Sequence, residues 1–164
     1  MSETPHSNTL AGWREWAQLP DIGVPWIKAK LDTGAQTSSI HAYKVKVFTR
    51  DGADWARFRV RPWQESNQDE VIVECPVHDR RRVRSSSGHV QDRIVVLLRV
   101  ELLGRDVTAE FTLSNRDQMG FRMLVGREAL RHGPFLVDAS HSFLGGRPPR
   151  PVRRRNRGEL EKAR

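Results

Sequence analysis

Apolar and polar residues alternate in short runs broken by turn formers, and this period-two pattern predicts strands rather than helices. Residues 26–31 alternate apolar and basic side chains and run into Asp32-Thr33-Gly34, which reads as a strand ending in a tight turn. Residues 40–49 and 54–63 form two more strand-like runs, and the Asp51-Gly52 pair between them is a hairpin signal. Residues 70–75 continue the series. Residues 94–103 and 107–113 pair around Gly104-Arg105-Asp106, residues 121–125 form a short apolar strand, and residues 135–138 form a last one. Only residues 127–131, closed by His132-Gly133-Pro134, suit a helix, and a short one. The pattern predicts an all-β body, closed or nearly closed, with one short helix near its C-terminal end. Between these strands, Pro76, His78, an arginine cluster (Arg80, Arg81, Arg82, Arg84) and Ser85-Ser86-Ser87-Gly88 read as a polar hairpin with a flexible tip.

Composition sharpens the domain picture. The 164 residues carry 28 Lys+Arg against 20 Asp+Glu, a formal charge of +8. From residue 147 onward eight Lys or Arg face two Glu, so residues 1–146 hold only +2 of that excess. The basicity belongs to a Pro/Arg tail that lacks the apolar residues needed for a core, which weakens a reading of the whole body as a nucleic-acid-binding surface. The expectation is a flexible start at 1–12, one domain at 13–146 and a disordered basic tail at 147–164, with an anionic partner possible for the tail. Within the body, the cluster at 80–84 is the only dense basic patch along the sequence. The longest aliphatic run, residues 94–98, is far shorter than a membrane span. The polar start lacks a secretory pattern and Cys75 is the single cysteine, so a cytoplasmic location without membrane contact is expected.

The candidate chemistry lies in Asp32-Thr33-Gly34-Ala35 together with residues 123–130, Met-Leu-Val-Gly-Arg-Glu-Ala-Leu. In this pairing the chain resembles one subunit of the retropepsins, the dimeric aspartic peptidases of retroviruses. More closely, it is similar to the bacterial retropepsin-like family that has carried an ATP-dependent zinc protease label. The likeness runs from Trp13 to about Leu144 and includes Arg82-Val83-Arg84-Ser85, Gly88, Arg93 and residues 119–130. It implies an acid-protease-like β-barrel of six or more strands and an aspartic endopeptidase. Asp32 would be the catalytic residue, Thr33, Gly34 and Ala35 would support it, and Gly126 and Arg127 would lie in the loop beneath, with Arg127 as a brace. Two close carboxylates share one proton, so that one activates water while the other protonates the peptide carbonyl. With one Asp-Thr-Gly per chain, the dyad requires a homodimer acting on a peptide or protein substrate. The hairpin at 80–93 would be the flap, with Arg82, Arg84, Ser86, Gly88 and Arg93 as substrate or flap candidates; a solvated basic loop is the competing reading. Arg81, Arg82 and Arg84 also suit an acidic substrate by charge.

Two departures from the viral pattern follow. Gln36 stands where those enzymes carry an acidic partner for the arginine, so Arg127 needs another partner. The 94 positions from Asp32 to Gly126 imply extra strands or an enlarged hairpin. Neither half of the zinc and ATP label finds support in the residues. There is no H-E-x-x-H pair, Cys75 and His78 supply two ligands only, and His6, His41, His89, His132 and His141 lack ligand spacing, so no metal and no cofactor are expected. No P-loop exists, and ATP would act only through a separate partner protein. Ser85-Ser86-Ser87 near His89 lacks the Gly-x-Ser-x-Gly elbow of serine hydrolases. Cys75 reads as an inert buried thiol, and the five tryptophans as core or dimer packing. Two alternatives stand beside the peptidase: an inactive binding module of the same fold, and a basic nucleic-acid- or ribosome-associated protein acting through its tail.

Overall fold

A computed structural model describes residues 8–84, 88–115 and 120–156. Twelve strands are formed among them: β1 Thr9–Gly12, β2 Arg14–Leu19, β3 Val24–Asp32, β4 Ser38–His41, β5 Tyr43–Arg50, β6 Ala53–Val60, β7 Val71–Pro76, β8 Asp79–Arg84, β9 Val90–Leu102, β10 Arg105–Ser114, β11 Met123–Gly126 and β12 Phe135–Asp138. Two helices complete the set, α1 Arg127–His132 and α2 Arg150–Asn156.

The strands order as β10-β4-β11-β3-β2-β9, with β8 outside β9, and β9 pairs back onto β10. This makes a ring of six strands. One seam is long, with eight residue pairs joining β9 to β10, while β2 meets β9 through the single pair Gln18 and Glu101. The expected mostly-β body is therefore present, with its thinnest join between β2 and β9. Alternation sets what fills it: Ile27, Ala29 and Leu31 of β3 point inward with Val96, Leu98, Val100 of β9 and Phe111 of β10, all buried.

The 94-residue spacing is taken up by strands outside the ring. β5, β6 and β7 form an antiparallel three-stranded sheet of their own. Hairpin turns occur at both places, with positive φ at Asp51 and Gly52 (52° and 77°) and at Leu103 and Gly104 (52° and 75°), as a right-twisted two-residue turn requires; the second is Leu103-Gly104 rather than Gly104-Arg105-Asp106, because Arg105 and Asp106 already pair in β10.

Several expectations differ from the structure. The run at 40–49 is divided, because the chain leaves the ring at buried Ala42, whose N–H donates to the Ser114 carbonyl, and then enters the separate sheet. The run at 54–63 ends its pairing at Val60. The start is not flexible throughout: Thr9–Gly12 pairs in parallel with Phe135–Asp138. Residues 150–156 of the expected disordered tail form α2, a second helix beyond the one expected. Its buried Asn156 accepts from the Gln64 N–H through Oδ1 and from the Glu65 N–H through its carbonyl, and Arg155 pairs with Asp69. The last eight residues, 157–164, lie outside the described residues. Trp16 and Trp63 are buried, and Trp16 packs against Trp26, Trp63 and Phe143. Cys75 is half-buried, and burial raises its thiol to about 11.

Candidate active site

Asp32 is the last residue of β3, where the inward and outward alternation ends and the chain turns over residues 33–37 into β4. Asp32 is half-buried as a residue, and the Gly34 N–H donates to its Oδ1 at 2.9 Å on the exposed side. The Ala35 N–H donates to the Asp32 carbonyl at 3.3 Å. A Cβ on Gly34 would lie 3.2 Å from Oδ1, so the glycine gives the turn room to close on its own aspartate. Thr33 is exposed and Ala35 half-buried.

β11 runs parallel to β3 and brings Gly126 level with Asp32. Here the backbones touch. A Cβ at Gly126 would meet the Thr37 carbonyl oxygen at 2.4 Å, its carbon at 2.5 Å and the Ala35 carbonyl oxygen at 3.0 Å. Only hydrogen fits there, and the closeness lets the Gly126 N–H donate to buried Ser38 Oγ (3.0 Å), the Arg127 N–H to the Ala35 carbonyl (2.7 Å) and the Glu128 N–H to the Gln36 carbonyl (3.0 Å). The Arg127 guanidinium donates to the Thr33 carbonyl at 3.1 Å. Arg127 thus has a backbone acceptor within the catalytic-type turn, where Gln36 offers no carboxylate. Residues 32–38 and 126–128 make one loop pair with three backbone or hydroxyl ties and one arginine tie across it. Ser38 is a supporting residue that the sequence reading missed; the only signal was a small hydroxyl six positions after Asp32, too common to single out.

The β8–β9 hairpin is formed as the spacing suggested, with Arg82 opposite Asp92 and Arg81 opposite Arg93. Its cations are partly committed. Arg81 donates to Glu110 Oε2 (2.7 Å) and Asp79 Oδ2 (3.0 Å), Arg80 reaches Asp54 (3.2 Å), and Arg82, 82% exposed, lies 3.5 Å from Asp92. The Arg81 guanidinium, aided by His78, holds the Glu110 carboxyl below its usual range. Arg93 is half-buried, Gly88 is exposed with φ +84°, and Arg84 joins the hairpin through its backbone pairing with Val90. Ser86 lies outside the described residues. The contacts of these residues are within the hairpin and to its neighbours, so the fold brings together Asp32, Thr33, Gly34, Ala35, Gly126 and Arg127 but not the flap candidates with them.

Asp138, Ser140 and His141 also meet, but not as a catalytic relay. Ser140 Oγ and Asp138 Oδ2 both face Nδ1 of His141, at 3.0 and 2.7 Å, whereas a relay needs one on each ring nitrogen. The Ser140 hydroxyl and N–H, then His141, lower the Asp138 carboxyl to about 2. Among the described residues no three His, Cys, Asp or Glu side chains stand together as metal ligands.

Residues 10–148 match the family model RimB-like, described as retropepsin-like aspartic endopeptidase RimB. The chain is 44% identical over 137 residues to a probable alpha-L-glutamate ligase of Shewanella halifaxensis, covering 84% of this chain and 30% of that protein. A protein of the same name from Desulfotalea psychrophila is 45% identical over 136 residues, 83% of this chain and 29% of its own length. The chain therefore spans about a third of these curated relatives. The crystal structure of Lpg0085, a protein of unknown function from Legionella pneumophila, superposes with a TM-score of 0.73 at 28% identity, covering 85% of this chain and 99% of that one. The match across 10–148 takes in both halves of the loop pair, Asp32 to Ser38 and Gly126 to Glu128, and the chain belongs to the RimB-like family of retropepsin-like aspartic endopeptidases.

Proposed function

We propose that the chain is the subunit of a homodimeric aspartic endopeptidase in which Asp32 of each copy contributes one carboxylate to a shared dyad. What carries the reading is the loop that aims Asp32: Gly34 donates to its carboxylate, while Gly126 and Arg127 clamp the turn from below. Two such carboxylates share a proton, and the ionised one takes a proton from a bound water. The water oxygen attacks the scissile carbonyl, the protonated partner donates to the carbonyl oxygen, and collapse of the tetrahedral species expels the amine after it gains a proton. Thr33, exposed beside Asp32, would meet its counterpart in the second copy, and Ala35 would limit bulk next to the dyad.

Dimerisation has a candidate surface. Leu10 of β1 and Leu136 of β12 are paired neighbours in the two-stranded sheet, and they are 53% and 54% exposed. An apolar pair of this kind suits burial against a second copy. The β8–β9 hairpin is the candidate flap, and its exposed Arg82 favours an acidic substrate. The relatives' name points the same way, since ligation of glutamate makes acidic peptide bonds on which such a peptidase would act. A cytoplasmic setting fits that chemistry.

The test is peptide cleavage by wild type and Asp32→Asn, with folding followed by circular dichroism. The expected result is complete loss of cleavage in a folded protein, and mixing the variant with wild type should lower activity further than dilution does, because mixed dimers have one carboxylate short of a dyad. Cleavage retained by Asp32→Asn ends the proposal. A folded protein that stays monomeric at high concentration and cleaves nothing would favour the inactive binding module instead.

A further inference from the structure

The outer face of the β5–β6 hairpin carries a cationic hollow that the peptidase reading does not use. Lys44, Lys46, Arg57 and Arg59 line it together with Phe58, around a volume of about 160 Å³. Lys46 and Arg57 sit directly opposite one another in the ladder, like charges that weaken a sheet, and Glu74, opposite Arg57 on β7, is paired with Arg50 at 3.0 Å. Lys44, Lys46 and Arg57 are exposed and make no ion pair with a carboxylate among the described residues.

Local geometry aims these groups at one spot. Tyr43 pairs with Arg59 and Lys46 with Arg57, so Lys44 and Val45 together oppose Phe58 alone, a β-bulge. Lys44 adopts φ +51° there. Lys44 lines the same hollow as Lys46 and Arg57. The row continues along β6 at every second residue, about 7 Å apart, through Arg59 and on to Arg61. Arg59 and Arg61 both donate to Glu70 at 3.0 Å, and Arg61 lies over the Tyr43 ring at 4.2 Å, which fixes these two guanidinium groups beside the hollow.

We propose that this hollow binds a phosphate group, with the backbone of single-stranded RNA as its source. One carboxylate is satisfied by one guanidinium, whereas three unpaired cations converging on a small open hollow match the higher charge and larger number of oxygens of a phosphate. The rings nearby are covered by the chain's own arginines, Arg50 over Phe48 and Trp55 and Arg61 over Tyr43, so recognition falls on the backbone and is independent of sequence. The repeating row on β6 serves successive phosphates of an extended strand.

The experiment uses the full chain and measures binding of a fluorescent 12-nucleotide oligouridylate as a function of salt, for wild type and Lys46→Gln/Arg57→Gln. The double variant should bind about tenfold more weakly, and its dependence of log affinity on log salt should fall by about 0.7, the share of the one phosphate that the hollow neutralises on a single strand. Inorganic phosphate should compete at the wild-type site and shift the amide NMR signals of residues 44–46 and 57–59. A tail variant, Arg153→Gln/Arg154→Gln, should leave those shifts unchanged, which separates this site from basicity elsewhere. Unchanged RNA affinity and slope in the hairpin variant overturn the proposal, as does tighter binding of an octaglutamate peptide than of RNA with the same loss on mutation. Self-association of the double variant with unaltered RNA binding also overturns it, because the lysines would then serve only to keep an edge strand from pairing.

Discussion

Replacing Gly126 with alanine tests the loop pair directly. The glycine's backbone is extended, with φ −88° and ψ 176°, which alanine adopts freely, so the cost comes from contact alone. The new methyl would stand 2.4 and 2.5 Å from the oxygen and carbon of Thr37 and 3.0 Å from the Ala35 oxygen, about 1 Å inside an ordinary contact of ~3.5 Å. Both neighbours are backbone, so no side chain can rotate away. Relief must come from parting β11 and the turn, which stretches the bonds from Gly126 N–H to Ser38 and from Arg127 N–H to Ala35. Overpacking of this size costs about 1–3 kcal/mol, and weakening one buried hydrogen bond adds about 1 kcal/mol. The sum is a loss of about 2–4 kcal/mol, or roughly 4–16 °C in Tm for a domain of this length. Urea denaturation of Gly126→Ala beside Gly34→Ala measures it. Gly34→Ala, whose methyl meets only the Asp32 carboxylate at 3.2 Å, a side chain free to rotate, should lose far less stability. A Gly126→Ala protein within about 0.5 kcal/mol of wild type, with the urea slope unchanged, would refute the argument that backbone approach at this point holds the turn.

Further outcomes follow from other sites. Glu15 is fully buried and accepts from the Gly12, Leu144 and Gly145 N–H groups at 2.7–2.9 Å; Glu15→Ala leaves three donors unmet and should cost at least about 3 kcal/mol in urea denaturation. Asp138, held at about 2 against an ordinary 3.8, binds its proton more readily in the unfolded chain, so its contribution is full above pH ~4 and is lost as pH falls towards 2; Asp138→Asn should flatten acid unfolding in that window, followed by circular dichroism against pH. Cys75, raised from 9.0 to about 11, holds about a hundredfold less thiolate at pH 8 than an ordinary thiol, so its alkylation by iodoacetamide should be slower by a similar factor and should speed up on unfolding. Arg127→Met removes the tie to the Thr33 carbonyl but keeps the backbone bond to Ala35, and it should lower cleavage at least tenfold with a loss of about 1 kcal/mol in stability, read from kcat and urea denaturation together.

How much was legible in the sequence depends on distance along the chain. Strands and hairpin turns follow from local alternation and from Asp51-Gly52 and Gly104, though not the positive φ of Leu103, which moves the second turn one residue earlier. The juxtaposition of Gly126 with Asp32 could be named through resemblance, but no periodicity shows that Thr37 would press on that glycine or that Ser38 would receive its N–H. Ala42 looks like one more residue of a continuous strand; only its burial and its bond to Ser114 mark the point where the chain changes sheets. The arginine run at 80–84 is dense in sequence yet has Arg80 and Arg81 tied to Asp54, Asp79 and Glu110. The cations at 44 and 46 lie far in sequence from Arg57, and a hairpin brings them together. Charge density along a chain and charge density on a surface are different quantities. The same holds for α2: a Pro/Arg-rich run lacks a core-forming pattern, and polar residues anchor it, Asn156 bonded to the backbone after Trp63 and Arg155 paired with Asp69.

The loop around Asp32 is split between residues 32–38 and 126–128, so it exists only once β11 has been synthesised and has found β3. A ribosome releasing this chain from its N-terminus exposes the aspartate about 94 residues before the glycine and arginine that hold its turn. The contact order of the site is therefore high, and its assembly comes late in folding. On the peptidase reading, an unfinished chain has the reactive residue without the means to aim it, and hydrolysis begins only with a complete fold.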